Sequence, residues 1–190
     1  MHVVGINGSA RMNGNTAIII QTVLEHIGSG DITTELIQLA HMEIEPCKAC
    51  FACQGRKACV CAHDHFNEVF EKMMRSDVII LGSPVYSADV SSKMKAYIER
   101  AGVVVATNPG LLKFKIGASV IAVRRGGGLA AVDTLNHFFL NKEMIVVGST
   151  YWNMVYGKDI GDVKCDEEGM RNLMNLGENI RVVLEKMRAP

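Results

Sequence analysis

The chain has 190 residues, enough for one α/β domain with a full core and too few for two comfortable ones. Its 20 Lys and Arg cancel its 20 Asp and Glu, which argues against the broad basic face of a nucleic-acid or anionic-membrane binder. The opening Met-His-Val-Val-Gly-Ile lacks the basic and apolar signature of a leader, and no apolar run approaches the roughly 20 residues of a spanning helix. Five of the six cysteines crowd between Cys47 and Cys61, a pattern of metal or redox chemistry rather than of a spread disulfide framework. A reducing, cytoplasmic setting is the expectation.

Apolar periodicity then alternates between two kinds of element. A strand at about 2–7, carrying Val3, Val4 and Ile6, leads into a helix from about Thr16 with Ile20, Val23, Leu24 and Ile27 on one face. A second strand runs from about Thr33 to Leu39. After the cysteines, Phe66, Val69, Phe70, Met73 and Met74 recur at helical spacing. The short apolar run Val78 to Gly82 is expected of a strand buried on both faces. Met94, Tyr97, Ile98 and Ala101 mark the next helix, and Ile116 to Val123 a fourth strand. Leu135, Phe138 and Phe139 mark another helix, and Ile145 to Val147 a fifth strand. A closing helix from about Glu167 places Met170, Leu173, Ile180, Leu184 and Met187 on one side. Strands separated by helices imply a parallel sheet with right-handed crossovers and helices on both faces. Residues 1–190 are read as a single domain with a cysteine-rich insertion at about 40–62. That insertion and the stretch from Tyr151 to Lys164 are long connections, and long connections in compact domains tend to be functional.

The loop after the first strand reads Gly8-Ser9-Ala10-Arg11-Met12-Asn13-Gly14-Asn15-Thr16. A helix N-terminus here offers unpaired N–H groups and partial positive charge to an anion. Ser9, Asn15 and Thr16 add donors, and Arg11 a charge-assisted contact. The same residues also suit a plain capping turn with Asn15 or Thr16 as N-cap. Neither the P-loop spacing nor Gly-x-Gly-x-x-Gly is present, which disfavours nucleoside triphosphate hydrolysis and dinucleotide binding of that type.

The cysteines follow the spacing Cys47-x2-Cys50-x2-Cys53-x5-Cys59. Three thiolates at two-residue gaps wrap one corner of a 4Fe–4S cubane, and a fourth slightly later closes it. Cys61 can replace Cys59 as fourth ligand, and Cys165 reads as an ordinary thiol. Zinc sites more often use two separated cysteine pairs and fit less well. Cysteines of this kind can also be small apolar packing residues.

In order along the chain, Gly8-Ser9-Ala10-Arg11-x-x-Gly14-Asn15-Thr16, Pro46-Cys47-x-x-Cys50-x-x-Cys53, Gly82-Ser83-Pro84-Val85-Tyr86, Ser91-x-x-Met94-Lys95 and Glu99-Arg100 resemble the NAD(P)H-dependent FMN reductase and iron–sulfur flavoprotein group. The resemblance covers about residues 1–128. It implies a flavodoxin-like three-layer α/β sandwich with a five-stranded parallel sheet in the order 2-1-3-4-5, whose ligand crevice opens between strands 1 and 3. It implies FMN, with the phosphate at Ser9, Arg11, Asn13, Asn15 and Thr16, and the isoalloxazine along Ser83, Pro84, Val85, Tyr86 and Ser87. Arg124, Arg125, Gly126, Gly127 and Gly128 are expected to reach the ring from the fourth strand, the glycines by letting backbone N–H groups come close. FMN is preferred to FAD because no second nucleotide motif is visible. No side chain need act as acid or base, because the flavin carries the chemistry. The resemblance also implies homodimers or homotetramers.

Where relatives carry acidic residues after the last cysteine, this chain has His63-Asp64-His65; Asp64 suits a helix cap and the histidines a surface. Trp152, beside Tyr151 and in the same loop as Tyr156, suits either packing or a subunit contact. Three functions remain open on the sequence. One is an electron-transfer flavoprotein taking electrons from a donor such as ferredoxin, through a cluster and FMN, to a small-molecule acceptor. Another is a cluster-free NAD(P)H-dependent reductase of FMN or quinones. A third is a non-catalytic flavin- or metal-binding regulator.

Overall fold

The structure, a computed structural model, describes residues 1–28 and 30–188. One parallel sheet organises them. Strands β1 (His2–Asn7), β2 (Thr33–Gln38), β3 (Val78–Pro84), β4 (Ile116–Val123) and β5 (Ile145–Val146) lie in the order β2-β1-β3-β4-β5. This is the order expected. The sheet has a sixth strand that the sequence reading did not place: β6 (Met154–Tyr156) also pairs with β4. It occupies part of the Tyr151–Lys164 stretch taken for a loop.

The reason is legible in the hydrogen bonds. β5 pairs with Ile116 and Gly117, β6 pairs with Ile121 to Val123, and residues 147–153 bow out between them along the same edge of β4. Asn172, buried on the closing helix, satisfies the excursion. Its Oδ1 accepts from the Thr150 hydroxyl and the Tyr151 N–H, both at 2.8 Å, and its Nδ2 donates to the Trp152 carbonyl at 3.2 Å. One helix amide thus replaces the missing strand partners.

Five helices cover the two faces: α1 (Asn15–Ile27), α2 (Phe66–Arg75), α3 (Ser92–Ala106), α4 (Gly128–Leu140) and α5 (Glu167–Arg188). Alternate strand residues divide between two cores, as a pleated strand requires. Val4, Ile6, Ile79, Leu81, Ile121 and Val123 pack against α2, α3 and α4. Val3, Val78, Ile80, Ala118 and Val120 pack against α1 and α5. Of the residues read onto the inner side of α5, Leu173, Ile180 and Leu184 are buried, whereas Met187 in the last turn is half exposed. Among the described residues no helix is long and apolar enough to cross a membrane.

Two glycines set the height of α1. A Cβ on Gly5 or Gly82 would collide with the Ile20 side chain. Their absence of side chain lets α1 lie close over β1 and β3, so its first turn opens at the carboxyl edge between those strands. A parallel α/β sheet binds its ligands at that point.

Candidate functional site

Four loops meet along the carboxyl edge. After β1, the chain curls through Asn7, whose Oδ1 accepts from Ser9 N–H at 2.9 Å, and through Ser9, whose hydroxyl accepts from Arg11 N–H at 3.1 Å. The N-cap of α1 is Gly14, not Asn15 or Thr16, and it supplies no side-chain cap. No acidic residue stands in the first turn. Among the described residues the Thr16 hydroxyl, on a residue 1% exposed, has no protein partner. A bare helix N-terminus with a spare hydroxyl and the exposed Arg11 beside it makes a socket suited to an anion. Asn13 lies exposed on the same loop.

Asn15 is already engaged. Its Oδ1 accepts from Gly161 N–H at 2.8 Å and its Nδ2 donates to the Asp159 carbonyl at 2.9 Å. It therefore ties the loop after β6 to the loop after β1, a role that no local pattern revealed.

The second loop begins later than the sequence suggested. Ser83 and Pro84 belong to β3 and pair with Ile121 and Ala122. Ser83 Oγ donates to the Pro84 carbonyl and accepts from Ser91 N–H, while Ser91 Oγ donates to the Gly8 carbonyl at 2.6 Å and caps α3 at Met94 N–H. The two serines lock the first and second loops together. Beyond them Tyr86 and Asp89 exchange backbone hydrogen bonds of 2.9 and 3.1 Å across a turn whose centre is Ser87 (φ 50°) and Ala88 (φ 61°). Two successive left-handed residues without a glycine carry backbone strain of the sort found at ligand clamps. The turn leaves the Tyr86 ring half exposed at the edge, and Val85 half buried beneath it.

The third loop follows β4. Arg124, Arg125 and Gly126 are exposed, whereas Gly128 is the first residue of α4 rather than part of the loop. Gly127 caps α4 at φ 81°, and a Cβ there would stand 2.8 Å from Ala88 Cα. Only glycine allows the second and third loops to touch in this way.

The cysteines lie elsewhere, along the outer side of α3. Cys47, Cys50, Cys53, Cys59 and Cys61 all line one small pocket of about 20 Å³, room for roughly one water, whose remaining walls include Phe51, Val60, Val103, Val104, Lys48 and Arg100. Ala49 (φ 51°), Phe51 (φ 52°) and Lys57 (φ 55°) are left-handed, and Ala49 N–H donates to Cys47 Sγ at 3.4 Å. Left-handed residues spaced in this way coil the chain tightly, and they bring the Ala49 N–H onto the Cys47 sulfur. Asn108 secures the far side, donating to the Cys53 carbonyl at 3.0 Å and accepting from Lys57 N–H at 3.3 Å. Among the described residues no three side chains converge on a single metal ion. A cubane makes no such demand, since each of its four thiolates bonds a different iron. The five thiols are a donor set that suits a cluster, and the loop would have to open around a cubane, since the pocket as it stands has room for roughly one water.

The neck of this loop holds two residues whose weight the sequence did not reveal. Arg100 and Asp64 form a salt bridge of 2.5 Å with side chains only 2% and 1% exposed. His65 rather than Asp64 is the N-cap residue of α2, but from one position further out Asp64 accepts from Phe66 N–H at 3.2 Å and from Glu45 N–H at 2.9 Å. Burial opposes its ionisation, yet the Glu45 N–H, the Arg100 guanidinium and the Phe66 N–H together hold its carboxyl below the usual range. His63 pairs with Glu45 at 3.1 Å, and His65 exchanges hydrogen bonds with Glu43, so both surface histidines clasp the neck. The guanidinium stacks over the Phe66 ring, 4.4 Å from its centroid.

Residues 1–159 match the family of NADPH-dependent FMN reductases. An iron–sulfur flavoprotein of Methanocaldococcus jannaschii is 35% identical over 195 residues, covering 99% of this chain and 100% of its own length. Another, from Methanosarcina thermophila, is 32% identical over 187 residues, covering 97% of this chain and 96% of its own. A flavodoxin, WrbA-like protein from Agrobacterium tumefaciens superposes with a TM-score of 0.66 at 14% identity, covering 97% of each chain, and speaks for the fold alone. An anion socket between β1 and β3, on a chain matched this far along its length, makes the protein an FMN-dependent oxidoreductase of the NADPH-dependent FMN reductase family.

Proposed function

We propose that the chain is an iron–sulfur flavoprotein in which Cys47, Cys50, Cys53 and Cys59 hold a 4Fe–4S cluster and FMN lies on the carboxyl edge, passing electrons to a small acceptor. The observation that carries this reading is the gathering of Cys47, Cys50, Cys53, Cys59 and Cys61 around one pocket. The names of the two archaeal relatives, which match along their whole lengths, support it.

Within this reading the residues divide by task. The first-turn N–H groups of α1, the Thr16 hydroxyl and Arg11 bind the phosphate. Val85, Tyr86 and the Gly126–Gly127 backbone border the ring, and Arg124 and Arg125 add positive charge near it. Positive charge and N–H donors beside a flavin favour its reduced anion and raise its potential. The bound flavin supplies both one- and two-electron chemistry, and the cluster one-electron transfer. The cysteine pocket spans Arg100 to Val104 on α3, so it begins about 14 Å along the helix from the Ser91 cap, at 1.5 Å per residue.

A cluster-free NAD(P)H-dependent reductase is the second reading, favoured by the description of the matched family. Anaerobic mixing separates the two. Reduced ferredoxin bleaching the flavin while NADH and NADPH do not supports the relay. Rapid bleaching by a nicotinamide in iron-free protein supports the second reading instead.

A further inference from the structure

Arg100 is among the most buried side chains of the molecule, and all three of its nitrogens are committed to the cysteine loop. Nη1 donates to Asp64 at 2.5 Å and to the Glu45 carbonyl at 3.3 Å, and Nη2 donates to the Cys61 carbonyl. Nε donates to Cys59 Sγ at 3.1 Å. Asp64 balances the charge, so Nε is not needed for pairing and is free to serve the sulfur. A neutral thiol is a weak acceptor, and a buried cationic N–H facing one is poorly used. A thiolate sulfur bound to iron is the acceptor that matches it.

The backbone distinguishes the two candidate fourth ligands in the same sense. Cys59 is fixed on both sides by Asn67, which accepts from its N–H at 2.9 Å and donates to its carbonyl at 2.8 Å. At Cys61 Arg100 takes the carbonyl and gives nothing to the sulfur. The sulfur that receives the guanidinium is thus the one whose backbone is clamped.

We propose that Arg100 is a positioning residue for the cluster: it selects Cys59 rather than Cys61 as the fourth ligand and, by donating to that sulfur, raises the cluster's reduction potential. This rests on the cluster reading above. A donor and positive charge beside a ligand sulfur stabilise the more negative, reduced cluster, so their removal lowers the potential.

The test uses full-length protein reconstituted anaerobically with iron and sulfide, with FMN content as the control for folding. Cys59→Ala should lose iron, and Cys61→Ala should keep it. In Arg100→Gln the midpoint, read by EPR-monitored titration, should fall by about 59 mV, a tenfold change in the equilibrium of a one-electron couple. Arg100→Lys, which keeps a charge for Asp64 but cannot span both partners, should shift the same way and stands in should the glutamine variant fail to fold. Iron retained by Cys59→Ala and lost by Cys61→Ala would overturn the assignment. Parent midpoints in both Arg100 variants would overturn the role in potential. Parent protein that takes up no iron would instead remove the cluster reading beneath it.

Discussion

Replacing Asp64 by alanine leaves the Arg100 guanidinium, 2% exposed, without its anion. Breaking a buried pair from one side costs about 3–5 kcal/mol, because the remaining charge is uncompensated. The Glu45 and Phe66 N–H groups also lose their acceptor, which adds to the cost. At a urea slope of about 2 kcal/mol/M, a loss near 4 kcal/mol moves the unfolding midpoint down by about 2 M. Asp64→Asn keeps both oxygen and shape, and should cost about half as much. The pH dependence has a definite sign. The folded-state pKa of Asp64 lies below its ordinary value, so the stability it contributes is complete above the unfolded pKa of about 3.9 and fades as pH falls through the folded value. Acidification should therefore narrow the gap between parent and Asp64→Asn. An Asp64→Ala midpoint within about 0.3 M of the parent, in urea followed by circular dichroism, would refute the claim that this pair holds the loop.

Thr16→Val removes a hydroxyl that has no partner among the described residues, so the apoprotein should keep its stability. FMN should nonetheless bind about 10- to 100-fold more weakly by flavin-fluorescence titration, the worth of one charge-assisted hydrogen bond. Gly127→Ala must place a side chain at φ 81° and 2.8 Å from Ala88 Cα, and should destabilise by about 2–3 kcal/mol in the same unfolding assay. Asn15→Ala releases the tie to Asp159 and Gly161, and hydrogen exchange should rise in residues 157–161 with little change in the sheet.

Much of this was visible in the chain itself. The first five strands follow from apolar runs such as Val78–Leu81, while their order, and with it the place of the crevice, follows from the family resemblance. The cysteine spacing likewise marks locally the loop that gathers around one pocket. What escaped was set by partners distant in sequence. β6 exists because Asn172, some 20 residues away, satisfies the bow that precedes it. Ser83 looked like a ligand donor, yet Ser91 and the Pro84 carbonyl take its hydroxyl. Asn15 likewise looked free and is held by a loop about 145 residues on. Arg100 sat within a recognised motif, but a helix position says nothing about a carboxylate 36 residues upstream. Pairings of this kind are decided by tertiary packing, and periodicity cannot report them.

Anaerobic purification followed by flavin, iron and acid-labile sulfide assays decides whether one chain carries FMN and a cluster together. A relay protein should give one FMN with about four irons and four sulfides per chain, and an absorbance in which a broad cluster shoulder bleaches along with the flavin bands. Stoichiometric FMN with neither iron nor sulfide, after reconstitution without oxygen, would contradict the relay.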